Sequence, residues 1–374
     1  MKITCIVLVL LLLAGCWDQR LLKNARLIYS VAIDLKDDGK LFSSVTIRSV
    51  QESGGGQGGS VPVNDYLSAT GNTPRQMRQN MDSKLSGEFE ASKNRMILLG
   101  EKLSYQDIYP ILDIFYRDPK SSLGASVAIV DGKADEITRM KQKDEVLIGE
   151  YVFTLLKSGE RDTYIPKQNV QTICPILFDP GRDLALPYIY KSHSEIPTVG
   201  IKGLALMENH QYSGVYLNKT ESSLMLLMSN QKGKIARFTK KVKPSEKNRI
   251  SQYITIDVLD EKAKLQIQKT ASGKIRVHVP LQLKVEAIEY PIDHLIDKKT
   301  VLALNKKLSG ILTKDANRTL NKMQKANSDT LGIGRELMAY HPDLWNKTDW
   351  EKDYPEIDLS AKVTVNIVDH GIIN

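Results

Sequence analysis

Apolar residues in this chain fall into three kinds of pattern. These are one near-continuous run at the start, short alternating stretches, and stretches spaced by three or four. Residues 27–50 read as two β-rich runs around Asp37, Asp38 and Gly39, which predicts an antiparallel hairpin. The glycine-rich stretch 53–60 follows as a flexible loop with nothing to pack. Thr73 opens a helix: Pro74 suits its first position, Gln76 completes a capping-box pattern, and Met77, Met81 and Leu85 share one face. Residues 95–100 predict a short buried strand. Ser104 and Asp107 form a second capping-box pattern, and Pro110 breaks or restarts the helix that continues through Ile111, Leu112 and Phe115. A strand over 123–132 and a short helix over 135–140 complete this half, without the strict βαβ rhythm of a doubly wound sheet.

Prolines at 166, 175, 180, 187 and 197 then make long regular elements unfavourable. They predict a junction between an N-terminal domain, 16–190, and a C-terminal domain, 198–371, with room for two lobes in the latter. Beyond the junction, residues 199–209 and 212–218 read as a hairpin, and 220–229 as a helix capped by Thr220. Antiparallel strands follow, the last two joined at Ser272-Gly273. Ile275, Val277, Val279, Leu281, Leu283 and Val285 alternate, so one face of that sheet is buried. Residues 293–327 predict a long helix whose stripe of Leu295, Val301, Leu304, Leu308, Leu312, Ala316, Leu320 and Met323 covers the sheet. An alternating strand over 361–371 closes the chain. The fold class is α+β: a multi-lobed mixed protein with antiparallel sheets and a long C-terminal-region helix packed on one of them.

The apolar run at the start, Ile3 to Leu13, is preceded only by the charge of Lys2. A bilayer core about 30 Å thick needs roughly 20 apolar residues, so this run is a secretory leader rather than a span. Leu13-Ala14-Gly15-Cys16 has the form of a bacterial lipobox. On that reading residues 1–15 are a signal peptide and Cys16 is the lipidation site, its sulfur carrying a diacylglycerol. The bland alternative is a signal anchor with an incidental cysteine. Cys5 leaves with the leader and Cys174 stands alone, so no intramolecular disulfide forms. Cys174 reads as a small buried hydrophobe.

Composition fits an exported, folded chain, with 41% apolar and 26% charged residues. The formal net charge is +8 and falls by one when Lys2 leaves. The densest basic run, 232–243, reads as a solvated strand and loop, with contact to an anionic membrane surface as the second reading. Nucleic acid is not an expected partner, given export and the lack of aromatic interleaving of the stacking kind.

Catalytic chemistry finds no candidates. Gly54, Gly56 and Gly59 satisfy G-x-G-x-x-G but precede Val61-Pro62 instead of opening a helix, so no cofactor is assigned. Histidines at 193, 210, 278, 294, 341 and 370 lack metal-binding spacing. Ser229 to Lys232 matches S-x-x-K without the accompanying S-D-N and K-T-G elements. The expectation is a non-enzyme with no catalytic or metal-binding residue.

Whole phrases carry more. "GCWDQRLL" at the lipid site, "NRMILLGEKLS" leading to "DIYPILDIFYRDP" at 94–119, "GIKGLALMEN" at 200–209 and "LGIGRELMAYHPDLWNKTDWEKDYPEIDLSAKVTVNIVDHG" at 331–371 resemble the Ger(x)C family. These are lipoprotein C subunits of spore germinant receptors in Bacillus-type spore formers. The C-terminal phrase is the most specific, with Gly332, Gly334, His341, Pro342, Trp345, Trp350 and Tyr354 in place. Gly332 and Gly334 would permit a tight helix entry, and Trp345 and Trp350 would pack as core. Tyr340 and the glycine-rich stretch depart from the family pattern, and neither touches the anchor.

The resemblance implies a chain held by acylated Cys16 on the outer face of the spore inner membrane. Its implied partners are the receptor's membrane-embedded A and B subunits, in a complex that responds to nutrients. The implied role is a scaffold or coupling element. A solute-binding lipoprotein is the alternative, but it needs paired α/β lobes around a cleft. A wall-modifying enzyme would need motifs that are absent.

Overall fold

Two short strands buried at every position, Met96–Gly100 (β5) and Ser126–Val130 (β6), form the centre of a nine-stranded sheet. The structure is a computed structural model describing residues 25–52, 60–140, 148–270 and 274–371. The leader, Cys16, the stretch 53–59 and the Ser272-Gly273 turn lie outside the described residues. Ser60 is the first residue of a strand.

The other strands of this sheet are β1 (Ala25–Leu35), β2 (Leu41–Glu52), β3 (Ser60–Gly71), β4 (Glu88–Glu90), β7 (Ala185–Lys191), β8 (Val199–Glu208) and β9 (Gln211–Asn218). Their order is β3-β2-β1-β5-β6-β7-β8-β9, with β4 beside the start of β1. The predicted hairpin is β1 and β2, in antiparallel register from Ile28↔Ile47 to Leu35↔Leu41. Between β1 and β7, however, neighbouring strands run parallel. This explains why β5 and β6 show no alternation: parallel strands are covered on both faces and read as continuous apolar runs.

One face is covered by helices α1 (Pro74–Asp82), α2 (Tyr109–Arg117) and α4 (Val170–Leu177). Thr73 caps α1 as expected, its hydroxyl accepting from the Gln76 amide at 3.1 Å. Ser104 does not form the predicted capping box. Its hydroxyl bonds to the Gly100 carbonyl at 2.9 Å, and α2 starts afresh with Pro110 in its first turn. The opposite face packs on α3 (Ile148–Arg161) and α5 (Lys219–Met228). Residues Glu221 to Met228 of α5 are all buried, so the helix is a wedge between the two sheets. Its cap is Asn218, not Thr220: Asn218 Oδ1 accepts from the Glu221 amide at 3.1 Å, and Glu221 Oε2 accepts from the Asn218 amide at 2.9 Å.

β7, which itself carries Pro187, pairs antiparallel with β8 across the last of the junction prolines, Pro197. The first sheet therefore continues across 190/198 and takes the 199–218 hairpin as its last two strands.

The second sheet holds β10 (Arg237–Lys241), β11 (Tyr253–Ala263), β12 (Gln266–Lys269), β13 (Ile275–Glu289) and β14 (Asp358–Asp369). β13 pairs antiparallel with β11 and β12 on one side, and parallel with β14 on the other. The buried residues of β13 alternate from Ile275 to Ala287 as predicted. The long helix, α6, spans Lys298–Lys325 and not 293–327. Asp293 and His294 adopt left-handed φ of 62° and 65°, which excludes them from a right-handed helix. Asp297 caps it instead, accepting from the amides of Lys299 and Thr300.

Besides its apolar stripe, α6 seals the open edge of β14. The amides of Ile367, Val365, Val363 and Ala361 donate to Asn305 Oδ1, Ser309 Oγ, Thr313 Oγ1 and Asn317 Oδ1 at 2.9–3.0 Å. Four helical residues rise about 6 Å and two strand residues about 6.7 Å, so polar side chains four apart meet every second strand amide. An edge that would otherwise invite pairing with another chain is thus closed from within.

Candidate functional site

A glycine turn and an aspartate fix the segment after α6 against the first sheet. Gly332 takes φ +73° and starts α7 (Ile333–Tyr340), a conformation that glycine adopts without the Cβ penalty. Gly334 follows so closely over Gly181 and Trp350 that a Cβ there would lie 2.9 Å from Gly181 Cα and 2.6 Å from Trp350 Nε1. Gly181 answers with its carbonyl, which accepts from the Arg335 amide at 2.9 Å. Gly332 therefore serves the left-handed turn, and Gly334 the close approach to Gly181 and Trp350.

Asp329 holds this turn from beneath. Oδ1 accepts from the Ile333 amide at 2.9 Å, and Oδ2 from the Gly334 amide at 2.8 Å and Trp350 Nε1 at 3.2 Å. Asp183, two residues before β7, accepts from the Asp329 amide at 2.7 Å and the Asn209 amide at 3.0 Å. The Asp183 amide in turn donates to the Asp329 carbonyl at 3.0 Å. Tyr354, fully buried, donates to the Ser328 carbonyl at 3.1 Å and packs on Trp350 at 5.5 Å between centroids. Trp350 is buried core as expected, whereas Trp345 is half-buried and lies 6.0 Å from it.

Over this layer opens a cleft of about 470 Å3, walled by the end of α4, the β8–β9 turn and residues 345–354. Its rim carries Asp179, Glu208, Asp349 and Glu351 against Arg182 and His210. His210 is tied by Nε2 to the Leu177 carbonyl at 2.7 Å and by Nδ1 to Asp107 at 3.2 Å, so it is not free to act as a base. Among the described residues no group of three or more His, Cys, Asp or Glu side chains is placed to hold a metal. The arrangement is a clamp between two segments with an acidic mouth, and it presents no nucleophile paired with a base.

Burial pushes the Asp329 carboxyl up to about 7, against the opposing amides of Gly334 and Ile333, and raises Asp183 to about 6. An unfolded aspartate titrates near 3.9. Between these values the folded chain holds more protons than the unfolded one, so stability falls as pH rises from about 4 to about 7. Thermal unfolding is expected to show a lower midpoint at pH 8 than at pH 5.5, and an unchanged or higher midpoint would contradict this.

Cys16 lies outside the described residues. Cys174 sits half-buried on α4 as a free thiol. The phrase 331–354 was legible as important, but Asp183, Asp329 and Gly181 were not. The signal for Gly181 and Asp183 was a second turn-rich phrase, Asp179-Pro180-Gly181-Arg182-Asp183, and Asp329 had none.

Residues 18–191 match the family described as spore germination protein N-terminal domain, and residues 202–371 match spore germination B3/GerAC like, C-terminal. The chain belongs to the Ger(x)C family of spore germination proteins. Among its relatives is spore germination protein GerQC of Bacillus cereus, 25% identical over 361 residues that cover 96% of each chain. Spore germination protein KC of Bacillus subtilis (strain 168) is 23% identical over 402 residues, covering 99% of this chain and 97% of that one. The crystal structure of the GerBC protein shares the fold, with a TM-score of 0.56 and 16% identity over 91% of this chain and 97% of that one.

Proposed function

We propose that this chain is a lipid-anchored, non-catalytic subunit of a nutrient germinant receptor, held on the outer face of the spore inner membrane. The observation that carries the reading is the match to germination families in both halves of the chain, downstream of a lipobox ending at Cys16. No helix among the described residues is long and apolar enough to cross a membrane, so attachment falls to the acyl group. Two acyl chains on one cysteine resist dissociation where a single chain binds only marginally. Eight residues lie between Cys16 and Ala25, and the nine residue steps limit the tether to about 30 Å. At that reach a weak contact with neighbouring A and B subunits is reinforced by high local concentration.

In this reading residues 16–190 and 198–371 are the two inherited domains, fused by the shared sheet. The seam built on Asp183, Asp329 and Gly334 holds them in one fixed relation. A body of this kind transmits or scaffolds, and performs no covalent chemistry. Spores lacking the chain are expected to lose their response to at least one nutrient while responding normally to others. An unchanged response across a full panel of amino acids and sugars would overturn the proposal.

A further inference from the structure

The solvent face of α6 carries a set of cations with no acid to meet them. Lys298, Lys299, Lys306, Lys307, Lys314 and Lys325 are all exposed, and among the described residues none of them makes an ion pair. The helix's other two cations are turned to acids: Lys322 meets Glu221 at 2.7 Å, and Arg318 lies 3.5 Å from Asp315. At about 100° per residue, positions 299, 306, 307, 314, 318 and 325 fall within an arc of about 120°, opposite the apolar stripe. They extend along roughly 39 Å of helix. Leu302 and Ile296, 57% and 66% exposed, lie near the N-terminal end of α6, Leu302 about 40° outside this arc and Ile296 before the helix begins.

The basic run 232–243, densest in sequence, is a poorer candidate. Arg237 is paired with Asp257 at 2.7 Å and Lys240 with Asp315 at 2.8 Å. Of the other four cations in the run, Lys232 and Lys243 are half-buried, which leaves Lys234 and Lys241 exposed and without an ion pair among the described residues.

We infer that the exposed lysine face of α6 is a docking surface for an anionic lipid bilayer, a second membrane contact separate from Cys16. Charge complementarity chooses the occupant. The lysines are strung along one straight face, with no described pocket and no aromatic residue among them. That suits the diffuse negative charge of a lipid surface rather than a shaped protein epitope or a stacked base. Leu302 and Ile296 add apolar contact at one end. In the spore this contact complements the anchor proposed above, fixing which side of the body faces the bilayer. It does not depend on the anchor for its test.

The test uses residues 16–374 carrying Cys16→Ala, so that no acyl group contributes and a failure leaves the anchor reading untouched. Sedimentation is measured with vesicles of phosphatidylcholine alone and with about one third phosphatidylglycerol, at ~0.1 M salt. The chain is expected to bind the anionic vesicles and not the neutral ones. Lys306→Gln, Lys307→Gln, Lys314→Gln and Lys325→Gln together are expected to weaken binding by on the order of a hundredfold or more. A control removing equal charge elsewhere, Lys234→Gln, Lys241→Gln, Lys247→Gln and Lys269→Gln, is expected to stay close to the parent. All eight side chains are exposed, and an unchanged unfolding midpoint checks that both variants fold. Equal binding to both vesicle types, no binding to either, retention by the first variant, or equal loss in both variants overturns the inference. Absence of vesicle binding would redirect the face to an acidic protein partner.

Discussion

An alanine at Gly334 is expected to destabilise the chain by about 2–4 kcal/mol. The added Cβ would stand 2.6 Å from Trp350 Nε1 and 2.9 Å from Gly181 Cα, and neither neighbour has room to yield. Trp350 is fixed by its bond to Asp329 and by ring contacts with Trp345 and Tyr354. Gly181 is fixed by the bond from its carbonyl to the Arg335 amide. Relief by backbone movement would pull the Gly334 amide from Asp329 Oδ2, leaving a buried carboxyl short of a donor. Alanine's better helix propensity offsets only about 1 kcal/mol. Gly310, exposed in the middle of α6, supplies the contrast, because a Cβ there meets nothing within 4 Å. Gly310→Ala is expected to raise the unfolding midpoint by the same propensity term that Gly334→Ala cannot exploit. Thermal unfolding of the two variants beside the parent checks both signs, and destabilisation by both or by neither would count against the seam as described.

Replacing Cys16 with alanine is expected to produce the largest functional effect. Without a thiol there is no acceptor for diacylglycerol. Acyl chains contribute about 0.8 kcal/mol per buried methylene, far more than the lysine face of α6 supplies. The variant should therefore leave the spore membrane fraction at physiological salt, and the response to at least one nutrient should weaken with it. Fractionation at low and at high salt separates the two contacts. Residual retention that disappears with salt belongs to the lysine face, whereas salt-resistant retention of the variant would show that Cys16 is not the anchor.

What could be read in the sequence depended on whether a contact leaves a periodic trace. The stripe of α6 repeats every three to four residues from Val301 to Met323, over about six turns, so its existence and buried face were plain. Its start was misplaced because Asp293 and His294 carry no apolar signal to betray their left-handed backbone. The row Asn305, Ser309, Thr313, Asn317 leaves no apolar trace of its own. Its partner strand lies more than 40 residues further along, and only the fold shows that these side chains replace a neighbouring strand. The parallel core from β1 to β7 was hidden for a similar reason, since pairing direction is set by connections and not by local pattern. Asn218 was overlooked as a cap although it stands three residues before Glu221, because Thr220 lay nearer the apolar run. At the seam, the glycines and tryptophans of 332–350 stood out as a phrase. Asp183 and Asp329 did not, because single buried carboxylates have no spacing to recognise.

The most direct measurement is affinity recovery of the tagged chain from detergent-solubilised spore membranes, with mass spectrometry of its N-terminal peptide and of whatever accompanies it. The account predicts a mature chain beginning at diacylated Cys16, recovered together with two membrane-embedded receptor subunits. A chain that still carries residues 1–15, with an unmodified thiol at Cys16 and no membrane protein in company, would contradict it.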